Sequence, residues 1–272
     1  MPRRDFDAVA HSVFRSAVNL RLEGEERLLT LLASDEADLP QGIRIDAPKG
    51  FSFEGLAIGS RGTSRGGVLT LGDSLSVALT DAPRWDSHLS ALHTDLSQPA
   101  VMDAWRVAWD ALNQRKSSDS HLEGDCHLKI SKAMGRILEA TRQYEFADEA
   151  GIAALIGLGT GLTPSGDDVL VGYMAGLWCA AHSPEAREFL SAFGETMIRL
   201  SHRTNDISRT YLYHAARGHV SSRLFNLARA ICCGADSQQV RDCTESAMRA
   251  GHTSGMETVT GFLLGLAAWE LP

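Results

Sequence analysis

What this 272-residue sequence lacks narrows its function first. No apolar stretch reaches the roughly 20 residues of a membrane span. The two longest, 169–181 and 259–269, read as buried helices. There is no basic excess either. The formal net charge is -8, and the lysines and arginines are scattered. A nucleic-acid or anionic-membrane surface, which needs a basic stripe, is thereby disfavoured, although a local basic pocket is not. Paired-cysteine motifs are absent. The five cysteines, Cys126, Cys179, Cys232, Cys233 and Cys243, are odd in number and contain no CxxC, so reduced thiols in a cytoplasmic protein are expected. Asp5 and Asp7 interrupt the first residues, so a secretory signal is not expected there. Walker loops, HExxH pairs and strand-borne dinucleotide fingerprints are missing as well.

What is present falls into two regimes. Short β-rich runs occupy 13–22, 27–33, 42–46, 67–71 and 74–80, separated by glycine, proline and aspartate. They predict a small antiparallel sheet or barrel. Residues 83–99 read as a linker. From Val101 onward the period is helical, with Trp105, Ala108, Trp109 and Leu112 on one face of the first helix. Further helices are predicted at 126–147, 149–156, 165–181, 184–200, 206–217, 221–232, 237–250 and 254–271. The expected fold class is α+β: an N-terminal β domain over 1–95, then a helical bundle over 96–272 with two glycine-faced central helices.

The helical part contains an echo. Ser165-Gly166-Asp167-Asp168, then Gly172, Tyr173, Gly176 and Leu177, correspond to Ser254-Gly255-Met256-Glu257, then Gly261, Phe262, Gly265 and Leu266. Each copy fits a capping box, serine paired with an acid three residues on. Glycines one turn apart clear a stripe for a second backbone. The expectation is that the two helices cross on these stripes and aim both N-termini into one pocket. Free amides and the positive dipole ends would there bind a small anion, helped by the loop Gly157-Leu158-Gly159-Thr160-Gly161. Asp167 and Asp168 have two readings: they cap the helix, or they hold a divalent metal that bridges to the ligand. No other cofactor is expected.

These blocks carry a family resemblance. GLGTGLTPSGDDVLVGYMAGL (157–177) and GHTSGMETVTGFLLGL (251–266) resemble the signature blocks of the AllH family, whose named member is a subunit of oxamate carbamoyltransferase. AVNL at 17–20, LLTL at 28–31 and TNDISRTYLYHAARG at 204–218 also match, so the similarity spans nearly the whole chain. The resemblance implies a role in anaerobic allantoin breakdown, converting N-carbamoyl-oxamate and phosphate into oxamate and carbamoyl phosphate together with other subunits. It also implies site residues: Gly159, Gly161, Thr163, Pro164, Asp167 and Asp168 in the first block, Gly251, His252, Thr253, Ser254, Gly255 and Gly261 in the second, and Thr204 with Ser208 between them. Where the family usually has an aspartate in the second block, this chain has Met256-Glu257, whose acid reaches further.

Together these readings name His252, Asp168 and Thr204 as candidate catalytic residues. Ser165, Gly166, Arg203 and Glu257 join the substrate-binding set with Gly159, Gly161, Thr163, Asp167, Ser208, Thr253, Ser254 and Gly255. The partners expected are other subunits and a small anionic substrate. Two alternatives stand beside a transferase: a non-catalytic scaffolding subunit, and a metal-dependent hydrolase of a small carbamoyl compound. Three signals are set aside. Gly62-Thr63-Ser64-Arg65-Gly66 has the letters of a nucleophile elbow but is followed by a β-type run. Ser201-His202-Arg203-Thr204 only faintly resembles the phosphate loop of other carbamoyltransferases. His121, Asp125 and His127 fit no regular metal spacing.

Overall fold

The structure is a computed structural model that describes residues 5–33, 36–73, 75–80, 82–118, 125–145, 148–251 and 253–270. Its contacts divide the chain into two units, Met1–Asp86 and Ser87–Pro272.

The first unit is a seven-stranded sheet: β1 (Phe6–Val13), β2 (Ala17–Leu22), β3 (Leu28–Leu32), β4 (Gly42–Arg44), β5 (Arg61–Arg65), β6 (Val68–Leu71) and β7 (Leu75–Ala78). The strand order is β4-β3-β2-β1-β5-β6-β7. All neighbours run antiparallel except β3 and β4, which pair in parallel with Leu31 opposite Ile43. The expected antiparallel pairing holds at every neighbour but this edge pair. The sheet curls, so that the segment after β4 (Ile45, Ala47, Phe51) and β7 (Leu75, Val77) line one hollow. Leu20, Leu31, Phe53, Leu69 and Leu71 fill its core. The elbow-like letters at 62–66 lie in β5 and its tight turn to β6, with Ser64 fully buried, so no strand-to-helix elbow exists there.

The second unit is helical: α1 (Pro99–Ser118), α2 (Asp125–Arg142), α3 (Glu149–Leu155), α4 (Ser165–Ala180), α5 (Pro184–Leu200), α6 (Asp206–Ala215), α7 (Ser222–Cys232), α8 (Ser237–Met248) and α9 (Ser254–Leu266). No helix among the described residues is long and apolar enough to cross a membrane. Residues 87–98 pack with this unit: Leu89 is fully buried, its amide bonds to Gly218 O, and the Thr94 amide bonds to Cys179 O. α4 is apolar on nearly all sides, as a helix enclosed by others must be. Tyr173, Met174 and Leu177 face one core with Phe193 and Ile137, while Ala175 and Cys179 face another with Phe262 and Leu266.

α4 and α9 run side by side in parallel. A Cβ on Gly172 would lie 1.9 Å from Thr258 O and 2.8 Å from Phe262 N, and one on Gly176 would lie 2.4 Å from Phe262 O. From the other side, a Cβ on Gly261 would lie 2.0 Å from Val169 O and 2.8 Å from Tyr173 N, and one on Gly265 would lie 2.4 Å from Tyr173 O. The backbones touch at these four positions, and their N-terminal ends lie together.

Candidate functional site

The paired ends of α4 and α9 are built alike. Each helix follows a glycine loop that folds back on the helix before it. A Cβ on Gly166 would lie 2.1 Å from Leu155 O at the end of α3, and one on Gly255 would lie 2.5 Å from Ala247 O near the end of α8. In the longer loop Gly157, Gly159 and Gly161 all have positive φ (77, 122 and 93°), a backbone that side chains disfavour. The Thr163 and Ser254 hydroxyls join the two ends at 2.6 Å.

Three acids stand in the first turns, where the helix dipoles favour negative charge. Asp167 is fully buried and holds the loop: the Gly157 amide donates to its Oδ1 at 2.8 Å, and the Thr204 and Ser208 hydroxyls donate to its Oδ2 at 2.5 and 2.7 Å. Burial raises its pKa against these three donors. The Thr163 and Ser254 hydroxyls lie beside Asp168 and favour its charged form, yet among the described residues its Oδ2 has no hydrogen-bond partner. Burial, with smaller repulsion from Asp167 and Glu257, pushes its pKa up to about 8. Glu257 is 2% exposed, and among the described residues its Oε1 also lacks a hydrogen bond. Burial raises its pKa, while Lys116 from the last turn of α1 and His127 from the first turn of α2 oppose that rise. His127 Nε2 stands 3.4 Å from Glu257 Oε1, close enough to feel its charge but outside hydrogen-bonding geometry.

Several expectations change here. Neither capping box forms. Pro164 and Thr253 occupy the cap positions, and neither supplies a side-chain cap. Ser165 and Ser254 lie one residue inside, and the Ser254 hydroxyl pairs with that of Thr163. Much of the expected amide cradle is bonded within the chain: Gly166 N to Leu158 O, Asp167 N and Asp168 N to Pro164 O, Gly255 N to Ala250 O, Glu257 N to Thr253 O. Thr204 and Ser208 serve Asp167. Ser201–Arg203 form a short 3-10 turn ahead of α6, with the Arg203 carbonyl against Gly157. Among the described residues no group of three or more His, Cys, Asp or Glu side chains is arranged to hold a metal. His252 and His121 lie outside the described residues.

Sequence reasoning passed over Lys116 and set His127 aside because its spacing from His121 and Asp125 fits no regular metal site. Both come to Glu257 from helices distant in sequence, and no spacing rule announces that. The thiol of Cys126, beside His127, is pushed up by burial and by the Glu257 charge.

Comparison with known families agrees with this geometry in its placement. Residues 155–266 match the family described as oxamate carbamoyltransferase subunit AllH. Residues 2–84 match the AllH family N-terminal domain. No solved structure matches the chain. The first match spans the glycine loop, both paired helices and the segment that holds Asp167, the second takes in the sheet, and the chain therefore belongs to the AllH family of oxamate carbamoyltransferase subunits.

Proposed function

We propose that the chain carries the substrate site of an oxamate-type carbamoyltransferase, working with other subunits, and that the site lies at the joined N-terminal ends of α4 and α9. The reaction is the phosphate-dependent cleavage of N-carbamoyl-oxamate. The bond between the carbamoyl carbon and the oxamate nitrogen breaks, a phosphate oxygen bonds to that carbon, and the nitrogen takes a proton. Oxamate and carbamoyl phosphate result, and the step belongs to anaerobic allantoin breakdown.

The observation that carries the reading is Asp168, a buried carboxyl with one oxygen unpartnered among the described residues and a pKa near 8, beside the Thr163–Ser254 hydrogen bond at the seam of the two helices. A carboxyl that keeps its proton at neutral pH suits general-acid work. Its role is to protonate the departing oxamate nitrogen. Lys116 lies within reach of the Glu257 charge, which opposes the fall that burial imposes on the lysine pKa, and the two dipole ends add positive potential. Family membership supports the substrate class.

The scaffolding alternative predicts no ligand at this seam, whereas two buried carboxyl oxygens without a hydrogen-bond partner among the described residues favour one. The hydrolase alternative places a metal on Asp167 and Asp168, and both oxygens of Asp167 are already engaged. The test is carbamoyl phosphate formation by the reconstituted complex, comparing wild type with Asp168→Asn and Ser254→Ala. Loss of 10²-fold or more with Asp168→Asn is expected on the order of a general acid's contribution. Unchanged turnover and ligand binding in both variants would discard the site.

A further inference from the structure

We propose that Glu257 is the specificity-determining residue of this site, its open Oε1 accepting an N–H of a primary carboxamide or ureido group, so that the pocket selects small anions ending in –CO–NH₂. The inference rests on the reading of the site given above.

The argument starts from an unpaired atom. Buried polar atoms are almost always hydrogen-bonded, and each exception calls for a cause. Glu257 Oε1 is such an exception in a side chain only 2% exposed, and Asp168 Oδ2 is a second at the same helix ends. Neither is an isolated accident of packing, because the two acids occupy echo positions in helices joined by Thr163 and Ser254. The groups facing Glu257 do not fill its vacancy. His127 Nε2 stays at 3.4 Å without hydrogen-bond geometry, and Lys116 acts on it through charge. A carboxyl oxygen that carries no proton accepts and does not donate, whether the group is ionised or not. The missing partner must therefore bring a proton on nitrogen or oxygen.

The flanking Lys116 refines the class. A free ammonium ligand would meet the Lys116 ammonium and be repelled, whereas a neutral amide N–H₂ has no such penalty. A carboxylate elsewhere on the same ligand would be drawn to that cation. The fitting ligand has an amide at one end and a negative charge at the other. A site built around such a hydrogen bond rejects an isostere that lacks it far more strongly than an apolar pocket rejects a shape change.

Oxamate and pyruvate make the test, since –NH₂ replaces –CH₃ at equal charge and nearly equal size. Dissociation constants for both are measured by calorimetry on the full chain assembled with its partner subunits, for wild type, Glu257→Gln and Glu257→Met. Wild type is expected to prefer oxamate by about 10- to 100-fold. Glu257→Gln, which keeps a neutral acceptor, retains part of that preference, and Glu257→Met abolishes it. The ratio is insensitive to a merely structural role, which would weaken both ligands together. Equal binding of the two ligands to wild type, or a preference that survives in Glu257→Met, overturns the assignment of Glu257 while leaving the site in place. Failure of wild type to bind either ligand removes both the inference and the reading beneath it.

Discussion

Gly172 of α4 and Gly261 of α9 make the same contact from opposite sides. A Cβ on the first would lie 1.9 Å from Thr258 O, and a Cβ on the second would lie 2.0 Å from Val169 O, its counterpart in the echo. Local two-fold symmetry between the helices follows, and with it the juxtaposition of Asp168 and Glu257 one turn earlier.

That contact leaves no room for a methyl group. Gly172→Ala and Gly261→Ala each set a Cβ against backbone, which cannot turn aside as a side chain can. Each is expected to destabilise the protein by about 3 kcal/mol or more, the upper end of overpacking costs. Gly135→Ala is the control. Gly135 is an exposed helical glycine in α2 with nothing within 4 Å of its Cβ position, and alanine there should stabilise by about 0.5–1 kcal/mol. Urea midpoints decide it, and equal effects at all three positions would contradict the packing argument.

The helices were legible because their apolar spacing is regular and their ends carry punctuation such as Ser183-Pro184 and Asn205-Asp206. β1 and β5 were not. In β1 the inward residues are Ala8 and Ala10 while Val9 is 43% exposed, so the pattern reads weakly. In β5 the inward residues are Gly62 and Ser64, kept small because Leu71 Cδ1 lies 3.1 Å from where a Cβ on Gly62 would be. Large side chains on neighbouring strands fill that space, which no single-strand pattern reveals. At the site, the loop and its acids were legible from motif and echo, and the Thr204 and Ser208 hydroxyls only from the family resemblance. The direction of the amides was not, because it depends on whether Leu158 O and Ala250 O turn back to meet them.

Asp167 should prove to be the anchor of the glycine loop. Asp167→Ala strands the Gly157 amide and the Thr204 and Ser208 hydroxyls, and is expected to cost about 2–4 kcal/mol. Asp167→Asn should cost clearly less, since its carbonyl still accepts from Gly157 and the two hydroxyls can rotate to accept from its amide. Amide exchange at residues 157–163 should quicken in the alanine variant. Unaltered exchange there would separate Asp167 from loop order.

Tyr173 links α4 to α2 in the core. Its hydroxyl is fully buried 2.7 Å from Thr141 Oγ1, and the Thr141 carbonyl in turn accepts from Trp269 Nε1 at 2.8 Å. Tyr173→Phe keeps the ring and removes one buried partner, with an expected loss of about 1–2 kcal/mol. Thr141→Val added to Tyr173→Phe should cost less than the two single losses combined, because the pair then leaves no lone polar atom between them. Strict additivity in that double-mutant cycle would show that the two hydroxyls do not interact.

Asp168 makes stability and activity fall together as pH rises. Its carboxyl titrates near 8 in the folded chain, against an ordinary value of 3.8. Between those values the folded state holds a proton that the unfolded state has released. Its stabilisation is therefore complete below about pH 4 and is lost as pH climbs through 8, at roughly 1.4 kcal/mol per pH unit inside the window. Asp167 and Glu257, both raised by burial, slope the same way, and His127 and Lys116 also face this end. Asp168→Asn isolates the one group. The stability difference between wild type and this variant, from urea unfolding at pH 5.5, 7 and 8.5, should shift steadily against wild type with increasing pH. Turnover by the complex should decline over the upper part of the same window, as the acid that protonates the oxamate nitrogen is lost. A difference that stays flat from pH 5.5 to 8.5 would mean that Asp168 is already ionised and cannot serve as that acid.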